Sequence, residues 1–446
     1  MDRLLISGGH IVDPASGYDG PGELLIEDGR IAWVGQGAPP QGPDSVLHAA
    51  GLMVAPGFVD LHCHLREPGY EEKETIATAA RAAARGGFTT LCAMPNTNPP
   101  ADSAAVINFV KEKARAEGVV RVLPVGCISR GRQGKELAEM AEMAAAGAVA
   151  FSDDGSPVAD PRLMRHALEY SLSFGLPLME HAEDEALAGG GVMHEGEVSL
   201  RLGLRGIPAA AEEAAVARDI ALARLTGARL HLCHLSTAGA VEMVRRAREE
   251  GLPVSAEVTP HHLTLTHEAV AAPIPYDTNA RVNPPLRTPW DVQALIEGLR
   301  DGVIDAIATD HAPHTLVDRL MEFDATPPGI SGLETALGAL MGLVHEGKID
   351  LVTLISRLTS GPAGVIGQPL GSLAAGRPAD VVLFDPDREW VVEAAAFASK
   401  GRNTPLAGAT LRGKVMATLA QGVLAYRDES VGLSASGPVE AQRLGG

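Results

Sequence analysis

The chain has 446 residues, 46% hydrophobic and 21% charged, with a formal net charge of −19. No Lys/Arg-rich block stands out, which argues against nucleic acid or an anionic membrane as a partner, since both select for clustered cations. No apolar stretch reaches the ~20 residues that cross a bilayer, no secretory signal opens the chain, and Cys63, Cys92, Cys127 and Cys233 form no Cys-x-x-Cys pair; a reduced cytoplasmic protein is expected.

The first fifty-odd residues read as short strands at 4–6, 9–12, 23–27 and 30–34, broken at Gly and Asp. From Gly57 the texture changes to β-branched apolar runs alternating with Ala/Glu/Arg segments of helical period, the mark of βαβ units. Eight such runs follow, at 58–64, 89–94, 119–128, 148–152, 176–181, 228–234, 253–258 and 303–309. Helical segments lie between them at 71–85, 104–117, 135–146, 161–173, 211–225, 239–250 and 291–300. Two intervals, 183–210 and 260–288, are too long for simple crossovers and are expected to be functional or mobile. After a last helical stretch near 351–358, strand-like texture returns at 380–384, 389–392, 408–411 and 415–424. The expected fold is α/β: a (β/α)8 TIM-like barrel over 56–365. Residues 1–55 and 366–430 combine into a composite β-sandwich, and 431–446 form a loose tail.

Polar residues fall at the carboxyl ends of the barrel runs: His62 and His64 on the first, Asp153-Asp154 on the fourth, His181 on the fifth, His234 on the sixth and Asp310 on the eighth. Barrel enzymes keep their active sites on that face, and His with carboxylate is the ligand set of zinc or a similar divalent ion. Residues i and i+2 of a strand share a face, so His62 and His64 both enter the mouth while Cys63 points to the helices. Asp154 is the candidate to bridge two metals, and Asp153, of opposite parity, to support the turn. An isolated His-x-His pair says little; five strand ends carrying His or Asp say much more. His231 reads as a packed or hydrogen-bonded strand residue. His261-His262 leave open a support role at the site or a purely loop-structural one, and His10, His48, His166, His267 and His345 read as surface or core residues.

Five motifs, in order, resemble the long bacterial type (class I) of the dihydroorotases in the amidohydrolase superfamily. They are His62-Cys-His-Leu-Arg-Glu-Pro-Gly69, Ala93-Met-Pro-Asn-Thr97, Phe151-Ser-Asp-Asp-Gly155, Asn283-Pro-Pro-Leu-Arg287 and Thr309-Asp-His-Ala-Pro-His314. The resemblance covers nearly the whole chain, including the returning strand at 376–384. It implies two zinc ions bridged by Asp154 and a hydroxide, one held by His62, His64 and Asp310, the other by His181 and His234. It implies further that the metal-bound hydroxide attacks the ring amide of L-dihydroorotate, with Asp310 as proton shuttle. The reverse path closes N-carbamoyl-L-aspartate in de novo pyrimidine (UMP) biosynthesis. Arg66, two positions past His64, is placed to pair with the substrate carboxylate, and Asn96, Asn283, His314 and the backbone at Pro328-Gly329 are implied as further substrate contacts. The chain departs from the pattern at two places: relatives usually carry an apolar residue at 63, and the lid segment 315–326 is less charged than theirs. Rival readings are another cyclic amidase (hydantoinase, dihydropyrimidinase or allantoinase) and a non-catalytic scaffold for aspartate transcarbamoylase. The amidases tend to bridge their metals with lysine and lack an Arg placed as Arg66 is; a scaffold is expected to have lost ligands. Whether the chain forms a homodimer or a complex with aspartate transcarbamoylase is left open.

Overall fold

All eight apolar runs contain parallel strands in the computed structural model of the chain, which describes residues 3–435. In order they are Phe58–Cys63, Phe88–Ala93, Arg121–Gly126, Ala150–Phe151, Leu178–Glu180, Leu230–Leu232, Val254–Val258 and Ala306–Ile307, each paired with the next. Most are shorter than the runs that announce them, because ladder pairing covers only part of each run. The ring closes through Asp60 of the first strand. Its buried carboxylate accepts from Thr309 N (2.9 Å) and Thr309 Oγ1 (2.5 Å), and His64 N donates to His311 O at 2.9 Å. Burial drives the Asp60 carboxyl up to about 6, with the Thr309 bonds opposing the rise.

Val59, Leu61, Cys92, Val125, Met179 and Ala306 fill the barrel interior, each large aliphatic group contributing about 1.5–3 kcal/mol on burial. Ile366, expected to begin the returning sandwich segment, packs instead with Val365 into this interior, so the barrel unit extends past 365. Four of the outer helices start at capping side chains: Thr75 with Thr78 around the start of Ile76–Arg85, Asp160 before Pro161–Ser171, Thr237 before Ala238–Glu249, and Thr288 with Asp291 around the start of Pro289–Arg300. Each cap satisfies amide groups that the helix leaves open, for about 1 kcal/mol. Helix Ala336–His345 has no counterpart in the sequence reading. It is apolar nearly all round, with Leu337, Leu340, Met341 and Leu343 buried, so it lacks the polar stripe that makes a helical period visible.

The terminal segments join in one domain whose nine strands form a continuous hydrogen-bonded network. Met53–Pro56 pairs antiparallel with Val381–Val391, which stitches the two ends of the chain together. Ile11, Leu24, Val54, Val381, Leu383 and Leu419 share its core. The expected break near Gly8 is a bulge: Leu4–Asp13 is one strand whose register against Tyr18–Glu27 shifts between Ile6 and Gly9. The expectation of a loose tail from 431 fails for its first residues. Val431 is buried, and Leu433–Ala435 pairs antiparallel with Ser45–Leu47, covering an otherwise open sheet edge. The rest of that expected tail, 436–446, lies outside the described residues.

The two long intervals are neither simple nor loose. Residues Val192, Met193 and Val198 from the first pack with Val270, Ala280 and Val282 from the second and with Phe323 and Ile330 from the segment after the eighth strand. One apolar cluster thus ties three excursions together beside the mouth. Among the described residues no helix is long and apolar enough to cross a membrane.

Candidate metal centre

The six expected ligands come from five different strand ends and meet at one point. His64 Nε2 is 3.0 Å from Asp310 Oδ1 and 3.6 Å from Asp154 Oδ2. His62 Nε2 is 3.2 Å from Asp154 Oδ1 and 3.7 Å from Asp310 Oδ1. His234 Nε2 and His181 Nδ1 stand 3.4 Å and 3.6 Å from the same Asp154 Oδ1 and 3.0 Å from each other. All six residues are buried.

These separations fit a cation better than a set of hydrogen bonds. Two atoms bound to one tetrahedral zinc at ~2.0–2.1 Å lie about 3.3 Å apart, in the middle of the observed range. His62 Nε2 is buried and makes no hydrogen bond, although two carboxylate oxygens lie within 4 Å. Among the described residues, His62, His64 and Asp310 form one group with metal-binding spacing, and His62, Asp154 and His234 another. Asp154 touches both histidine pairs, the position a bridging carboxylate needs. Burial alone would raise the Asp154 carboxyl, but the charge of His62 and hydrogen bonds from His181 and His234 hold it well below the usual range. Asp310 is likewise held low by His64 and His62 against its burial.

The far ring nitrogens fix the imidazoles. His62 Nδ1–H donates to Glu257 Oε1 (2.9 Å), whose other oxygen accepts from His231 Nε2–H (3.1 Å); His64 Nδ1–H donates to Asn96 Oδ1 (2.8 Å). Such partners set the tautomer and aim the ligating nitrogen. Asn96, expected to touch substrate, therefore also orients a ligand. Asn283 Nδ2 is 3.3 Å from His181 Nε2, and its Oδ1 is buried without a partner. A half-turn of that amide lets His181 Nε2–H donate to Oδ1, leaving the Nδ1 lone pair for a cation.

A cleft of about 190 Å³ opens over the centre and is walled by Arg66, Asn96, Asn283, His314 and Pro327–Gly329. Arg66 Nε donates to Pro313 O at 3.3 Å, and burial pulls its guanidinium down to about 10, still charged at neutral pH. Burial, then the charges of Arg66 and Arg319, push His314 down to about 2. Its neutral ring donates Nε2–H to Pro328 O (2.9 Å). Gly329 N–H is already given to Arg281 O (2.8 Å) and Gly329 O accepts from Arg319 and Asn403, so at 328–329 only the second lone pair of the Pro328 carbonyl is left for a ligand. The lid segment is held by Arg319, which donates to Thr278 O (2.8 Å) and Gly329 O (2.6 Å).

Backbone strain concentrates here. Of seven non-glycine residues with positive φ among the described residues, Arg66 (63°), His234 (35°) and Asp310 (45°) are at the centre, and Arg132 (56°) donates to the carbonyls of Asp153 and Asp154. Such conformations cost on the order of 1–3 kcal/mol each and persist where surrounding contacts enforce them. Asp153 supports the turn, accepting from Ile128 N (2.9 Å) and Ser129 N (3.1 Å). His262 sits in the short helix Pro260–Thr264, bonded to Thr259 Oγ1 (2.8 Å) and Pro284 O (2.9 Å), a structural role. Glu257, Asp60 and Asn403 went unread in the sequence. The first two had a signal, an acid inside an apolar run; Asn403, far along the chain, had none.

The profile of dihydro-orotase-like proteins matches residues 51–240. The chain is 54% identical over 427 residues to the dihydroorotase of Anaeromyxobacter dehalogenans (strain 2CP-C), covering 96% of this chain and 98% of that one. It is 51% identical to the dihydroorotase of Pelotomaculum thermopropionicum, covering 96% and 100%. Among solved structures it resembles the L-hydantoinase (dihydropyrimidinase) of Arthrobacter aurescens (TM-score 0.86, 24% identity), which shows the shared fold. It also resembles the dihydropyrimidinase of Brevibacillus agri NCHU1002 (TM-score 0.82, 25% identity), again over 97% of both chains. One fold thus serves both groups, and the far higher identity to the first decides between them: the chain belongs to the dihydroorotase family of cyclic amide hydrolases.

Proposed function

We propose that this chain is a zinc-dependent dihydroorotase that interconverts L-dihydroorotate and N-carbamoyl-L-aspartate in pyrimidine biosynthesis. The observation that carries the substrate reading is a half-buried, charged Arg66 in the same cleft as the His/Asp cluster. A cyclic amide without a carboxylate would cover that guanidinium and supply no counter-charge beyond its bond to Pro313 O, which is costly.

His62, His64 and Asp310 would hold one zinc and His181 and His234 the second, with Asp154 between them. Bound there, the two cations would make water acidic enough to attack at neutral pH and would polarise the amide carbonyl. Arg66 pairs with the substrate carboxylate and fixes the ring over the cluster. Asn96 Nδ2 is free to donate, and the carbonyl of Pro328 keeps one lone pair for a ring N–H. Asp310, ionised at neutral pH, accepts the proton of the attacking water and returns it to the departing ring nitrogen.

Purified protein, zinc-loaded and chelator-stripped, should be assayed with dihydroorotate, hydantoin and allantoin. Metal-dependent turnover confined to dihydroorotate is expected. Preference for hydantoin or allantoin, or no metal-dependent turnover of dihydroorotate, would overturn the reading.

A further inference from the structure

The connection between strands Val381–Val391 and Thr410–Ala420 does not turn back at once. Residues 392–409 leave the terminal sheet and reach the barrel mouth. There Ser399 Oγ donates to Glu74, and Lys400 N donates to Glu74 Oε1 at 3.2 Å. Gly401 passes so close that a Cβ would collide with Ser331 Oγ and come within 2.6 Å of Pro313 Cβ.

Asn403 follows, 2% exposed, with every hydrogen-bonding position of its side chain used. Its Nδ2 donates to Ala312 O (3.0 Å) and Gly329 O (2.9 Å), and its Oδ1 accepts from His314 N (3.0 Å) and Ser331 Oγ (2.8 Å). Its own carbonyl accepts from Ser331 N at 2.8 Å. Two of these partners lie on the segment after Asp310 and two on the segment 328–331. The amide suits this place because it offers two donors to two carbonyls and two lone pairs to two donors.

We infer that Asn403 is a positioning residue, a clasp from the terminal domain that sets the spacing between His314 and Pro328–Gly329 across the cleft. The inference rests on the substrate reading above, in which both groups face dihydroorotate. Without the clasp, the cluster that holds metal stays intact while the walls of the cleft lose register.

Asn403→Asp tests this, since it keeps the shape and both acceptor bonds but turns a carboxylate oxygen toward two carbonyl oxygens. KM for dihydroorotate should rise about 10-fold or more, with kcat changed less than about 3-fold and zinc content unchanged. Amide hydrogen exchange at 312–316 and 328–331 should increase. Ser331→Ala, which removes one donor from the same amide, should raise KM about 3-fold with a smaller rise in exchange, and it decides the matter if Asn403→Asp fails to fold. Unchanged KM, or a loss confined to kcat or bound zinc, overturns the clasp. The exchange measurement stands without an assay, so unchanged exchange overturns it even if wild type ignores dihydroorotate, an outcome that by itself sinks only the proposed function.

Discussion

Replacing Glu257 should loosen zinc without touching any ligand. Its carboxylate, fully buried, accepts from His62 Nδ1–H at 2.9 Å and His231 Nε2–H at 3.1 Å. Burial would raise it, yet hydrogen bonds from His231 and His62 hold it at about 2. Glu257→Leu leaves both N–H groups buried without an acceptor, at about 1–3 kcal/mol each. The His62 ring relieves its share by rotating, which swings Nε2 off the centre. Loss of a carboxylate behind a ligating histidine lowers metal affinity about 10–100-fold, or about 1.4–2.7 kcal/mol. Glu257→Gln keeps an acceptor for His62 and loses only the charge, so it should fall less, by about 3–10-fold. Zinc affinity is read by competition with a chromophoric chelator, and bound zinc by elemental analysis after dialysis. At saturating zinc the Gln variant should recover kcat to within a few-fold of wild type. Wild-type zinc affinity in Glu257→Leu, with only a lower Tm, would refute the reasoning.

Arg66→Lys trades a planar fork for a point charge; kcat/KM for dihydroorotate should drop about 10–100-fold, with no comparable change in any residual hydantoin turnover. Equal losses on both substrates would remove the carboxylate from the argument. Asp310→Asn should lower kcat about 100–10,000-fold while retaining more zinc than His62→Ala, and wild-type activity would exclude a proton-shuttle role. Burial, then the charges of Arg287 and His267, pull His194 from 6.5 to about 4, so the fold favours its neutral ring. That contribution is complete above pH 6.5 and is lost as pH falls through about 4. His194→Asn should therefore flatten the decline of Tm over this window, and a variant whose Tm tracks wild type would show that the ring is not responsible.

Much of the barrel was legible because strand and helix periods are local. A β-branched run followed by an Ala/Glu/Arg segment declares itself within a dozen residues, and strand parity separates His62 and His64 from Cys63 without knowledge of the partner strands. The polar residues at the strand ends were legible for the same reason, since a barrel sends all its strand ends to one mouth. Helix Ala336–His345 was hidden because burial on all sides erases its period. The tail at Leu433–Ala435 was misread because pairing to a sheet edge leaves no local mark. Tertiary structure alone decided the contacts between remote segments: Asp60 with Thr309, 249 residues apart, closes the ring, and Asn403 meets Ala312 across 91. It also decided which acid backs which imidazole, and that Arg66, His234 and Asp310 sit in a strained backbone conformation. Local sequence determined which residues arrive at the mouth; closure of the barrel and the reach of the terminal domain determined their spacing, because a hydrogen bond between distant segments is encoded in neither segment by itself.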